Sequence, residues 1–208
     1  RSCWDYTERV EEFEAWIRHL DSRDLEVWNS PDVLLWNLRK NYLQELREMD
    51  LPVVPTVFLP PGSPALLEPI LEEKRWDRAV VKPMIGAGSS GMFTVQRPVD
   101  SQGLPRLERL VQEGPGALVQ PYLESVGDHG EWSMFFFRQD YYYTIHKQPP
   151  DDEFRAHPDS GAELSLVEPD PEWIQRAEGI IRAINKGWLY LRLDLVRGEQ
   201  GPLVMEVE

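Results

Sequence analysis

The stretch Val80-Val81-Lys82-Pro83-Met84-Ile85-Gly86-Ala87-Gly88-Ser89-Ser90-Gly91-Met92-Phe93-Thr94-Val95 sets a G-x-G-x-x-G pattern between two apolar, β-branched runs. In a dinucleotide fold such glycines close a strand and open a helix, whose N-terminus meets pyrophosphate. Here Phe93-Thr94-Val95 follows without a helix cap, so the loop joins strand to strand. That context excludes a Rossmann turn. The Walker phosphate loop and the kinase H-R-D and D-F-G motifs are absent as well. What remains is a plain Gly-rich hairpin, or a loop whose backbone N–H groups fold over phosphate with Lys82 just ahead of it.

The rest of the chain follows the same hairpin logic. Val10, Phe13, Trp16, Ile17 and Leu20 predict a helix over 7–20, and Glu26-Val27-Trp28 a short strand. Ser30 as N-cap and Pro31 at the first helical position open another helical stretch, broken near Asn37. Residues 51–60 read as strand, 64–74 as helix, 105–113 as helix and 117–123 as strand. Aromatic runs on both sides of Gln139-Asp140 predict a hairpin, and 149–170, with four prolines, a long loop. An amphipathic helix over 171–185 and two strands around the turn 198–201 complete the pattern. This is α+β built from hairpins, not βαβ repeats.

Charge narrows the partners. With 36 acidic residues against 22 Lys and Arg, the formal charge is −14, and duplex nucleic acid or an anionic membrane meets repulsion. No apolar run is long enough to cross a bilayer. Cys3 is the only cysteine, which excludes an internal disulfide and a Cys-based zinc site and fits a reduced cytoplasmic protein. His146 and His157 lack any Ser-His-Asp arrangement or metal spacing and read as structural. The runs Phe135–Phe137 and Tyr141–Tyr143 read as core and sheet surface rather than a base-stacking platform.

The final strands carry Asp194, Glu206 and Glu208. Strand period puts Glu206 and Glu208 on one face, and pairing through the turn brings Asp194 near both. Three carboxylates on one face repel unless a cation sits among them, and hard oxygen donors beside ATP favour Mg²⁺. A solvent-facing strand of alternating glutamates is the competing reading.

Taken in order, "WNLRKNYLQEL…LPVVPT", "VVKP" with its glycine loop, "VQPYL", "GEWS" and "RLDLVR…LVMEVE" resemble the ATP-grasp carboxylate–amine ligases, such as D-alanine–D-alanine ligase and glutathione synthetase. The likeness covers nearly the whole chain and looks nearest to the ATP-grasp ligase of D-cycloserine biosynthesis. It implies an ATP-grasp fold in which two α/β subdomains clasp ATP. The expected pieces are 1–50 as a helical remnant, 51–119 as the small subdomain with the flap, and 120–208 as the large one. The family's N-terminal substrate domain has no counterpart, so we expect the sequence to be part of a longer protein.

The resemblance also implies roles. Lys40 and Lys82 match the lysines on the ATP phosphates, and Gly86, Gly88, Ser89, Ser90 and Gly91 the mobile flap. Gln120, Tyr122 and Leu123 match the strand that reads adenine, and Glu131 the carboxylate on the ribose hydroxyls. Lys147 and Arg155 match basic groups facing the γ-phosphate and acyl-phosphate. Arg192 matches the arginine that stabilises the tetrahedral transition state, and Asp194, Glu206 and Glu208 the Mg²⁺ ligands. Glu208 departs from the Asn common at that place. Without the resemblance, Lys40 reads equally as a solvated helix face, Glu131 as an exposed strand start, and Arg155 as the partner of Asp151, Asp152 or Glu153. The implied reaction is Mg-ATP-dependent joining of a small-molecule carboxylate to an amine, in a chain open to homo-oligomerisation. A non-catalytic ATP-binding scaffold and an ATP-dependent phosphotransferase stay open.

Overall fold

A computed structural model describes residues 4–23 and 25–208; Cys3 lies outside the described residues. A 3-10 turn at Trp4–Thr7 precedes helices α1 (Val10–Asp21), α2 (Pro31–Asn37) and α3 (Tyr42–Glu48). Then come β1 (Val57–Leu59), α4 (Leu67–Lys74), β2 (Arg78–Pro83), β3 (Phe93–Gln96), α5 (Gly103–Gln112) and β4 (Ala117–Pro121). The chain continues through α6 (Glu124–His129), β5 (Glu131–Phe137), β6 (Asp140–Gln148), β7 (Glu163–Val167), α7 (Pro171–Ile184), β8 (Tyr190–Gly198) and β9 (Gly201–Val207).

The chain divides into two compact units. One is Val54–Glu124; the other joins the residues up to Val53 with Ser125–Glu208. The opening helices therefore belong to the same unit as the C-terminal sheet.

In the Val54–Glu124 unit the sheet runs β1-β4-β2-β3, with antiparallel neighbours throughout. Alternation sorts its faces. Ala79 and Val81 of β2 join Phe93, Val95, Leu107, Val111, Leu67 and Leu71 in one apolar core under α4 and α5. Val80 and Lys82 point the other way, on the face shared with their register partners Gln120 and Leu118. All four are buried.

In the second unit the sheet runs β7-β6-β5-β8-β9, again antiparallel. One face carries Met134, Phe136, Leu193, Leu195, Val204 and Val207, all buried, as are Ala177, Ile180, Ile181 and Ile184 of α7. The ring of Trp173 on α7 lies 4.6 Å from that of Trp132 on β5. The opposite face carries the charged residues discussed below.

Three local expectations change. Glu26–Trp28 forms no strand: Trp28 is exposed and bonds back to Glu26. The segment is anchored instead by the Asn29 side chain, which meets the backbone of Leu189 and Tyr190. The loop over 149–170 contains β7, an edge strand whose alternating Leu164 and Leu166 remain exposed. The strand over 51–60 shrinks to Val57–Leu59, with an isolated parallel bridge from Val53 to Val204. Pro52 and Pro55 withhold ladder donors there. The helix break near Asn37 is present, and Lys40 sits in it rather than on a helix.

Among the described residues, no helix is long and apolar enough to cross a membrane.

Candidate active site

The glycine loop joins β2 to antiparallel β3, as a strand–loop–strand element requires. Its turns close through Ser90 N–H to Ala87 O (3.1 Å) and Met92 N–H to Ser89 O (3.4 Å). Gly88 and Gly91 have φ of +59° and +73°. At Gly91 a Cβ would stand 2.9 Å from Pro83 Cγ, so backbone and neighbour both demand glycine. Gly91→Ala is expected to cost the Val54–Glu124 unit about 1–3 kcal/mol, read by chemical denaturation. An unchanged midpoint would show that the loop relaxes freely. Lys82 is the penultimate residue of β2, just before this loop, and only 8% of it is exposed.

On the same unit, Gln120 donates to Thr56 Oγ1 at 2.9 Å. Its buried Oε1 has no hydrogen-bond partner, which marks an acceptor open to a donor. Tyr122 lies under the Arg78 guanidinium, 3.6 Å from the ring centroid, and Arg78 in turn reaches Glu124 at 2.9 Å. Leu123 follows β4 and is half-buried.

The charged face of the five-stranded sheet gathers more of the expected residues. Register sets Glu131 opposite Lys147, Ser133 opposite Asp194, and Asp194 opposite Glu206. Arg192 and Glu208 exchange both backbone hydrogen bonds, at 2.6 and 2.8 Å. Between Asp194 and Leu195 the register shifts: Leu195 pairs with Val204, leaving Met205 as an extra residue on β9.

Asp194 is the centre of this face and only 3% exposed. Arg192 grips it with two bonds (Nε to Oδ1 2.8 Å, Nη2 to Oδ2 2.7 Å), and Ser133 Oγ donates to Oδ1 at 2.5 Å. Lys147 Nζ stands 3.6 Å from Oδ2 and 2.8 Å from Glu131. Arg192 Nη1 also reaches Glu208 at 2.5 Å, and Lys40 Nζ reaches Glu206 at 2.5 Å. Ser133 carried no role in the sequence reading; its place one period after Glu131 in "GEWS" was the available signal.

The electrostatics follow this geometry. Burial alone would raise the Asp194 carboxyl, but Arg192, Lys147 and the Ser133 bond bring it down to about 2. Glu131 moves up, through burial and the nearby Asp194 charge, against the pull of Lys147. Glu208 also moves up, through burial and then Asp194 and Glu206, although Arg192 opposes the shift. Lys40 and Lys147 are raised: burial favours their neutral forms, and the carboxylates beside them outweigh it. Burial also raises Tyr6, which senses Lys40, Glu206 and Glu208.

Arg155 is not drawn into this cluster by any observed contact. It forms a two-point pair with Glu153, at 2.9 and 2.6 Å, on a partly exposed loop. His146 bonds the backbone of His129, and His157 accepts from Asp159 N–H, so both have structural partners.

No family model matches the chain. The cycloserine biosynthesis protein DcsG of Streptomyces lavendulae is 31% identical across all of this chain, which covers 73% of that protein. The chain belongs to the ATP-grasp ligases. Ligases of this family form C–N bonds at the expense of ATP, and the chain is such an enzyme. The crystal structure of D-cycloserine synthetase DcsG matches all of it with a TM-score of 0.88, at 30% identity and 73% coverage of that chain. The ATP complex of D-alanine–D-alanine ligase from Bacillus anthracis shares the fold, with a TM-score of 0.69 at 18% identity over 91% of this ATP-grasp chain and 62% of the other. A probable alpha-L-glutamate ligase of Photobacterium profundum is 27% identical over 62% of this chain and 41% of its own.

ATP-grasp ligation implies a divalent cation, and the residues present fit one by donor chemistry. Among the described residues no three His, Cys, Asp or Glu side chains stand close enough together to hold a metal as they are. Yet Asp194, Glu206 and Glu208 share one sheet face, and each of the first two raises Glu208. Around them three cations, Lys40, Lys147 and Arg192, face four carboxylates, counting Glu131, so one negative charge is left over. Hard oxygen donors with excess negative charge suit Mg²⁺.

Proposed function

We propose that this ligase phosphorylates the carboxylate of an amino acid or short peptide with Mg-ATP and then joins the acyl group to an amine. The observation that carries this reading is the one-faced assembly of buried Asp194 with half-buried Arg192, Lys147 and Glu131, and with Glu206 and Glu208 at its side. Asp194, Glu206 and Glu208 would hold Mg²⁺, which when bound neutralises β- and γ-phosphate charge. Lys40, Lys82 and the Gly86–Gly91 loop would orient the triphosphate, Glu131 the ribose, and Gln120, Tyr122 and Leu123 the adenine. The substrate carboxylate oxygen attacks the γ-phosphorus as the bond to ADP breaks. The amine nitrogen then attacks the acyl carbon, and phosphate leaves with the former carboxylate oxygen. Arg192 would stabilise the oxyanion formed in that second step, and Lys147 and Arg155 the transferring phosphoryl group. No covalent protein nucleophile is needed. The chain would act on small molecules in the reduced cytoplasm.

Incubation with Mg-ATP, pooled amino acids and hydroxylamine tests the reading. ADP and a hydroxamate should appear together, each dependent on added carboxylate. AMP with hydroxamate would overturn the acyl-phosphate. One observation favours an ATP-binding domain without turnover: Asp194, Glu206 and Glu208 are each already engaged by Lys or Arg. Bound ATP with no ADP formed would establish that alternative.

A further inference from the structure

We propose that Asn37 and Tyr42 are positioning residues for Glu206 and Glu208, acting through the backbone of Val207. The inference rests on the ligase reading above, which makes those two carboxylates metal ligands.

The ladder explains why Val207 is the point of grip. Because Arg192 and Glu208 exchange both backbone bonds, the adjoining pair Leu193–Val207 exchanges none. The N–H and C=O of Val207 therefore point away from β8. Since β9 is the last strand of its sheet, no further strand meets them. Instead Val207 N–H donates to Tyr42 Oη at 3.1 Å, and Asn37 Nδ2 donates to the Val207 carbonyl at 2.7 Å. Asn37 is the last residue of α2 and Tyr42 the first of α3. Between them Lys40 holds Glu206 Oε1 at 2.5 Å. One helix break thus takes hold of the strand at three points, two on the backbone and one on a side chain. Further back, Val204 N–H donates to Pro52 O at 2.7 Å on the same outer edge.

The gripped residue lies between the two carboxylates, so a shift of Val207 moves both. The ladder with β8 holds β9 from one side only, and strand ends are where local opening is cheapest. Tyr42 is 1% exposed, with its ring 5.0 Å from that of Trp36, so its packing does not depend on the hydroxyl. Tyr42→Phe therefore removes the grip while keeping the ring in place.

Metal binding read apart from turnover tests this. Mn²⁺ is titrated by electron paramagnetic resonance into wild type, Tyr42→Phe and Asn37→Ala, each holding a non-hydrolysable ATP analogue. Analogue affinity without metal and hydrogen exchange at the Val207 amide are measured alongside. Each variant should bind Mn²⁺ about 10-fold more weakly, as loss of a ligand's supporting partner commonly does. Analogue affinity without metal should stay at the wild-type value, and the Val207 amide should exchange faster in Tyr42→Phe. Faster exchange with unchanged Mn²⁺ affinity would reduce the grip to a structural contact and overturn the inference. If Tyr42→Phe fails to fold, Asn37→Ala decides by the same Mn²⁺ titration. A wild-type protein that binds the analogue but no Mn²⁺ would instead overturn the ligand assignment itself, and this inference with it.

Discussion

Asp194→Asn should cut ATP turnover at least about 100-fold, the upper end of what loss of a supporting partner costs a metal site. It should also destabilise its own unit by about 3 kcal/mol, the low end for breaking a buried ion pair. The low end applies because neither cation is stranded: Arg192 keeps Glu208, and Lys147 keeps Glu131. The pH dependence gives a second check. The Asp194 carboxyl titrates below its ordinary value of 3.8 in the folded state. Its contribution is therefore fully present above about pH 4 and drains away as the pH falls through about 2. Wild type and variant should converge in stability over that window. A constant gap down to pH 2 would mean that the bidentate Arg192 contact does not govern this carboxylate.

Lys82→Met is expected to weaken ATP binding about 100-fold, or about 2.7 kcal/mol, within the range for hydrogen bonds to charged groups. The substitution is chosen for the site. Lys82 lies on a buried strand face between Val81 and Pro83, and Met fills the stem's volume without the ammonium. The fold should survive, so a calorimetric titration reads the phosphate contact rather than unfolding. Near-wild-type affinity would remove Lys82 from the nucleotide site.

Much of this was legible because periodicity and turn chemistry are local. The break near Asn37, the hairpin around 138–140, the helix over 171–184 and the strand-to-strand glycine loop all follow from short-range pattern. The missed elements fail for identifiable reasons. The helix at Glu124–His129 is six residues long, too short for a 3.6-residue period to declare itself. β7 hides among prolines, and its Leu164 and Leu166 face outward, so alternation there does not mark a buried side. At the site, the acidic residues could be read, whereas their cations could not be paired with them. That Arg192 would take both Asp194 and Glu208, and Lys40 reach Glu206 from 166 residues away, depends on strand register and on where a helix breaks.

The extra residue at Met205 gives strand length a chemical meaning. Counting back from the turn pair Gly198–Gly201 without it, Asp194 would pair with position 205. Glu206 and Glu208 would then lie on the opposite side of the sheet, among Leu193, Leu195 and α7, because a one-residue slip inverts every side chain. In this sequence the acidic pair shares a face with Asp194 because the bulge absorbs the one residue more that β9 carries between the turn and Glu206 than β8 carries between Asp194 and the turn. The number of residues from the turn to the two glutamates and the presence of the bulge are thus coupled: one cannot change without the other. A chain that kept this length but straightened the bulge would keep the motif on paper and lose the site, whereas one that lost Met205 would set the glutamate opposite Asp194 in the regular register.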